Sequence, residues 1–342
     1  MNREVVVIGG GTAGMEAAGQ LARNGFRVSL IEKEKEPGGH LSDWYHLFPD
    51  RRPGSEVLSI LRKNLENKNI TLLSGTGINS IERIKNNFSI KTDRGIEIQA
   101  DAVVVATGFD LFRSEKKEEY GYGIYDNVIT SSDLEKKFGS GDLRTTFGMN
   151  PRKIGIIHCV GSRDEKSGNL YCSKLCCVTA VKQAIELREK LPDSRVFCFY
   201  MDMRMGGAHY EELYMEAQEK HNVSFIRGKV SEVSENIEGS LIIKVEDTLA
   251  GRPLRMELDM LVLMAGMEIS EGSRKIVNAL QLETGENRFL KSRDNHTGNN
   301  LGNVPGVFYA GTCTAPMNIT ETISHARAAV ADVIDYFRKE DK

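Results

Sequence analysis

The 342-residue sequence contains no apolar run approaching the roughly 20 residues that a membrane-spanning helix needs, which argues against membrane insertion. Neither sign of charge dominates. Lys and Arg number 45 against 48 Asp and Glu, a formal net charge of −3. No whole-molecule field and no basic–aromatic patch favours nucleic acid. There is no Ser/His/Asp set and no H-E-x-x-H pattern, which excludes hydrolases built on those groups. The apolar stretch at residues 5–8 is too short for a secretory leader and runs straight into a glycine motif, so a cytoplasmic location is expected. Prolines are few, 8 against 33 glycines, which points to tight turns and close backbone approaches. With 40% hydrophobic and 27% charged residues the chain is neither disordered, collagen-like nor a disulfide-dense mini-protein. Its length suggests two domains of about 150 residues.

What is present begins at once. Residues 5–8 read as a strand buried on both faces. Gly9-Gly10-Gly11-Thr12-Ala13-Gly14 follows and matches G-x-G-x-x-G. A helix over 15–24, a stop at Gly25, a second strand over 26–31 and the acid Glu32 complete a dinucleotide fingerprint. In that arrangement Gly9 makes the tight turn, Gly11 lets the backbone meet a pyrophosphate and Gly14 allows close helix–strand packing. Thr12 and Ala13 offer N–H groups at the helix start, and Glu32, with Lys33 beside it, faces the ribose. Gly39, His40 and Leu41, Ala106-Thr107-Gly108, and Gly311-Thr312 resemble, in content and order, segments of the thioredoxin-reductase-like flavoproteins, a resemblance that implies FAD rather than NAD. Thr312 stands where that superfamily usually has an acid. Asn318 and Ile319 open the last helix, whose N–H groups can face the flavin's pyrimidine edge.

A second motif is made of cysteine. Four of the six fall between residues 159 and 177, where an even spread would place about 0.3. The spacing is Cys159-x12-Cys172-x3-Cys176-Cys177. A helix over 170–189 would put Cys172 and Cys176 on one face, and Cys159 would end a strand. A single zinc at about 2.3 Å is awkward for two adjacent cysteines, whereas a [4Fe–4S] cube accepts neighbouring thiolates on separate irons. Free or redox thiols are a third reading. The unit begins like a second nucleotide fold at 153–157, but His158-Cys159-Val160-Gly161-Ser162-Arg163 replaces the glycine loop, so nicotinamide binding there is not expected.

Within HCVGSRD and YCSKLCC this pattern resembles the cluster motif in the flavin core of the A-type heterodisulfide reductase subunits. The similarity runs over nearly the whole chain. It implies an α/β fold of two Rossmann-like dinucleotide-binding domains, as in thioredoxin-reductase-like flavoproteins. Residues 1–150 and 285–342 would hold FAD, and residues 151–284 a [4Fe–4S] cluster on Cys159, Cys172, Cys176 and Cys177. The methanogen-type protein carries further C-x2-C-x2-C-x3-C-P runs, and this sequence has none. That shortness resembles the version found in bacterial sulfur-oxidising complexes, a homodimer working with iron–sulfur B-like and C-like subunits and a sulfur-carrier protein. The A-like component of a quinone-interacting oxidoreductase, and a stand-alone NAD(P)H-dependent disulfide or ferredoxin reductase, are the alternatives; the second lacks its C-x-x-C and its second glycine loop. The resemblance also implies that Lys182, five residues after Cys177, approaches the isoalloxazine as a catalytic group. Cys313 and Cys198 read as a small turn residue and a buried strand residue, and Trp44 and Tyr45 as packing or interface groups.

Overall fold

The strand expected at the amino-terminal end spans Glu4–Ile8 in the computed structural model, which describes residues 3–341. Val5, Val6 and Val7 are fully buried, as a strand covered on both faces requires. It occupies the middle of a five-stranded sheet in the order Val307–Tyr309, Ala102–Val105, Glu4–Ile8, Arg27–Ile31, Ile70–Leu73. Every pair is parallel. The helix Thr12–Arg23 begins three residues before the sequence reading, because Met15 N already donates to Gly11 O at 2.9 Å. It stops where Gly25 takes φ +85°.

One face of this sheet buries Val5, Val7 and Val28 against Leu21, Phe26 and the Ala326, Ala329, Val333 and Phe337 stripe of the helix Ile319–Glu340. The i, i+3, i+7 spacing of that stripe is the helical period. The other face buries Val6, Ile8 and Val103 against Ile81, Phe88 and Ile90 of a three-stranded antiparallel sheet.

The chain divides into two units. The first comprises the residues through Ser42, Ser55–Asp110 and the residues from Glu268 onward; the second comprises Asp43–Gly54 and Leu111–Met267. The second repeats the plan. A parallel sheet runs in the order Val128–Thr130, Met260–Ala265, Lys153–Val160, Arg195–Tyr200, Ser224–Arg227. An antiparallel sheet of Val230–Glu235, Leu241–Asp247 and Arg252–Leu258 accompanies it.

The boundaries therefore lie elsewhere than at 150 and 284. Val128–Thr130 belongs to the second sheet because it pairs in parallel with Met260–Ala265. The helix Glu271–Leu280 belongs to the first unit because Ile276 and Leu280 enter its core. The segment Asp43–Gly54 was not foreseen as part of the second unit, where Tyr45 and Phe48 pack on the core around Val181 and Leu213.

Two expectations around the cysteines are also corrected. The helix spans Cys176–Lys190, not 170–189. Lys174 takes φ +62° and Ser173 Oγ accepts from Met267 N at 2.9 Å, so the chain before Cys176 is held in a non-helical bend. Cys159 does not end its strand. It sits within Lys153–Val160 at φ +60°, where the pairing with Met260–Ala265 shifts register. Among the described residues no helix is long and apolar enough to cross a membrane.

Candidate functional site

The first unit gathers the glycine motif into a cradle. Gly9 at φ +101° leaves no room for a side chain, since a Cβ there would stand 2.5 Å from Ala106 O. A Cβ on Gly14 would collide with Gly9 O. Gly11 is different: the nearest neighbour to a built Cβ is Gly39 Cα at 3.9 Å, an ordinary contact, so nothing in the protein crowds that position. The helix beginning at Thr12 has no side-chain cap, which leaves the first-turn N–H groups of Thr12 and Ala13 for an anion.

Around this turn stand the other expected residues. The buried Glu32 carboxylate accepts from Gly10 N at 2.6 Å and Glu34 N at 2.7 Å, which fixes it beside the loop. Lys33 is exposed and pairs only loosely, at 3.9 Å, with Glu34. Gly39 approaches Gly11, Leu41 is buried, and His40 stacks on Phe109 at 4.2 Å while its Nε2 lies 2.9 Å from Phe109 O. Thr107 shares a hydrogen bond with Ser273 Oγ. Gly108, at φ +66°, has Thr312 Oγ1 as its nearest side-chain neighbour.

Gly311 lies so close to the first helix that a Cβ would stand 2.6 Å from Ala13 Cβ. Its N–H donates to His325 Nδ1 at 2.9 Å, a contact nothing in the local sequence announced. Burial lowers the His325 pKa, which keeps the ring neutral and able to accept that bond. Asn318 caps the last helix by accepting from Glu321 N at 2.8 Å, and Ile319 follows as its first residue. Cys313 is fully buried and burial pushes its thiol up to about 12, which makes it a core residue and not a nucleophile. Within this unit the close approaches join Gly9 to Ala106, Gly11 to Gly39, Gly108 to Thr312 and Gly311 to Ala13, and the room at Gly11 beside the uncapped helix start fits a pyrophosphate.

In the second unit three cysteines converge. Cys159 Sγ lies 3.5 Å from Cys176 Sγ, and Cys177 Sγ points to Asp202 O at 3.6 Å. Cys172 stands on the bend before the helix, half-buried, and accepts from Lys174 N at 3.2 Å. Cys177 is held down to about 4 by its hydrogen bond with Cys176 and by His158. Cys159 is lowered by its bond with Cys176 and by Arg163 and Arg204, while Cys176 is pushed well above the usual range. Among the described residues no three His, Cys, Asp or Glu side chains already stand at metal-holding geometry. The donor chemistry nevertheless fits a soft metal centre: four thiols with the Arg163 and Arg204 cations beside them.

Lys182 is not exposed toward a cleft. It is 2% exposed, and its ammonium donates to Glu135 Oε1 at 2.6 Å and His46 O at 2.8 Å, with Glu186 Oε2 at 3.5 Å. His46 Nδ1 lies 2.8 Å from Glu186 Oε1, and Gln183 donates to Glu135 Oε1. Two of these partners, His46 and Glu135, are not apparent from the sequence because they come from the Asp43–Gly54 segment and the helix Ser131–Ser140.

Residues 3–135 match the pyridine nucleotide-disulphide oxidoreductase family. The A-type iron-sulfur subunit of the CoB–CoM heterodisulfide reductase of Methanocaldococcus jannaschii is 28% identical over 97% of this chain and 64% of its own length. The A-type subunit of the H(2):CoB–CoM heterodisulfide,ferredoxin reductase of Methanothermobacter thermautotrophicus is 36% identical over 69% of this chain and 37% of its own. The chain spans just under two thirds of the length of such relatives. Among solved structures, Lactococcus lactis thioredoxin reductase superposes with a TM-score of 0.71 at 19% identity, covering 99% of this chain and 100% of its own. The thioredoxin reductase of T. acidophilum gives 0.69 at 19%, covering 99% of each chain. The fold is that of the thioredoxin reductase-like flavoproteins.

Proposed function

We propose that this chain, a flavoprotein of the A-type heterodisulfide reductase family, is the electron-transfer subunit of a heterodisulfide-reductase-like complex, with FAD in its first unit and a [4Fe–4S] cluster on Cys159, Cys172, Cys176 and Cys177 in its second. The observation that carries the reading is a replacement. Both units share the parallel sheet and strand-to-helix plan, and where the first has its glycine loop the second has the cysteines. Once bound, FAD supplies two-electron and the cluster one-electron redox chemistry.

The chain's own groups position these cofactors. The N–H groups that follow Gly11 hold the pyrophosphate, the Glu32 carboxylate takes the ribose hydroxyls, and Gly39, Ala106 and Gly311 bring backbone close to the ring system. The first-turn N–H groups of the helix that follows Asn318 favour negative charge at the ring's pyrimidine edge. Arg163 and Arg204 lower the cost of holding thiolates. The approach of Lys182 to the isoalloxazine is part of the proposal and requires its ammonium to exchange Glu135 and the His46 carbonyl for the flavin.

The partners belong to the proposal as well: a homodimer, B-like and C-like iron–sulfur subunits, and a sulfur-carrier protein in cytoplasmic sulfur oxidation. A stand-alone NAD(P)H reductase is disfavoured, since the second unit has no glycine loop to take the phosphates. Anaerobic purification tests the reading. Stoichiometric FAD, iron and sulfide in equal amounts and one cluster signal per chain are expected. Zinc in place of iron refutes the cluster, and released FMN or NAD refutes the flavin assignment.

A further inference from the structure

We propose that the Ser162 hydroxyl and the Arg163 guanidinium donate hydrogen bonds to the sulfur atoms of the cysteine centre and thereby set its reduction potential. The proposal rests on the [4Fe–4S] reading above. Two buried donors in the second unit lack acceptors. Ser162 is completely buried and its Oγ has no partner. Arg163 commits Nη2 to Asp202 Oδ2 at 2.6 Å, while its Nη1 is buried and unpartnered. Buried donors are rarely left without acceptors, and each such group calls for a cause.

The chain brings both donors to the cysteines by local means. Cys159 at φ +60°, inside the end of the strand, and Gly161 at φ +73°, just after it, turn the backbone, and Ser162 N donates to Cys159 O at 3.3 Å. The turn cannot relax outward at Gly161, because the Phe112 ring fills the place of a Cβ there. Arg163 is near enough to Cys159 and to Cys172 for its charge to act on both thiols. Asp202 then fixes the guanidinium, so that one edge is anchored and the other is left to donate.

Ser162, Arg163 and Cys159 line one recess of about 10 Å³, which is the space of a single water and too small for a substrate. The recess admits one water, and the proposal assigns sulfur atoms of the centre as the acceptors that these donors lack. The two cases differ in consequence. A donor to sulfur favours the extra negative charge of the reduced centre and raises its potential, as hydrogen bonds to cluster sulfurs do. A donor to an isolated water leaves the potential where it is.

The test is an EPR-monitored redox titration of the anaerobically purified full chain, with iron, sulfide and FAD measured on the same samples. Ser162→Ala is expected to retain its iron and to lower the reduction equilibrium constant about tenfold, which for a one-electron couple is a shift of about 59 mV to lower potential. Arg163→Gln, which removes the charge and replaces the guanidinium by a shorter neutral amide, is expected to shift it in the same direction, and Arg163→Lys by less. Should Ser162→Ala lose iron, the Arg163→Gln and Arg163→Lys pair decides. Full iron with an unchanged potential in the iron-retaining variants overturns the proposal and leaves the cluster reading intact. A wild-type chain without iron overturns the cluster reading itself.

Discussion

Replacing Lys182 by Met isolates the buried ion network of the second unit. The lysine is 2% exposed, and its partners Glu135 and Glu186 have side chains 4% and 2% exposed. Methionine keeps the apolar stem and nearly the volume, so packing contributes little. What is lost is the charge that lies within ion-pair distance of both carboxylates and the donor to His46 O. Removing one partner of a buried pair costs roughly 3–5 kcal/mol, because a charge is left without compensation. For a domain of this size that corresponds to a fall in Tm of roughly 6–20 °C.

The loss depends on pH in a defined direction. Burial, and then Glu135, hold the Glu186 pKa above its ordinary value, although Lys182 and His46 oppose the shift. A carboxyl with a raised folded pKa supports folding below the ordinary carboxylate range and loses that support as pH rises through its folded value. Without Lys182 the shift grows, so the destabilisation is expected to be larger at pH 8 than at pH 5. Thermal unfolding followed by circular dichroism at both values provides the measurement. Lys182→Met/Glu135→Gln, which removes one orphaned charge, should recover part of the loss. A Tm within about 2 °C of wild type at pH 8, or a loss that is larger at pH 5, would falsify the account of Lys182 as the network's counter-charge.

Other substitutions separate cofactor binding from folding. Gly11→Ala places a Cβ at an ordinary 3.9 Å contact with Gly39 Cα, so the Tm of the cofactor-free protein should hardly move while FAD retention falls; equal FAD content refutes the role given to that position. Gly14→Ala must collide with Gly9 O and should lower yield or Tm before FAD is considered. Cys172→Ala should abolish the brown absorbance and leave FAD bound, whereas Cys198→Ala should keep both, since Cys198 is fully buried in its strand. Cys313, with its thiol near 12, should resist alkylation in the native protein at pH 8. Rapid labelling there would contradict its burial. Saturable NAD(P)H binding lost on altering Gly161 would show that the second unit has kept a nucleotide site.

The glycine loop is legible in the sequence almost whole. Its parts lie within the 24 residues from Gly9 to Glu32, and each is a local requirement: a buried strand, a positive φ at Gly9, a close packing at Gly14, an acid after the second strand. The cysteine spacing was equally plain, but the start of its helix was not. Helical periodicity alone runs back to residue 170, whereas the bend that stops it depends on a bond from Met267, which is 94 residues away from Ser173. The approach of Gly311 to Ala13 of the first helix joins residues almost 300 positions apart and is seen only in the folded chain. The His325 that holds its N–H reads in sequence as an ordinary helix residue.

The sequence by itself determined which chemistry this chain is built for. The phosphate-binding turn, the four thiols and the two repeated nucleotide folds follow from residue types whose backbone and side-chain demands are met by near neighbours. Only the tertiary structure decided where each unit begins and ends, which cysteines meet, and what surrounds Lys182. The reason is that burial and electrostatic compensation are set by whatever the folded chain brings alongside. Lys182 finds Glu135 at a separation of 47 residues and His46 at 136, and no local pattern encodes either meeting.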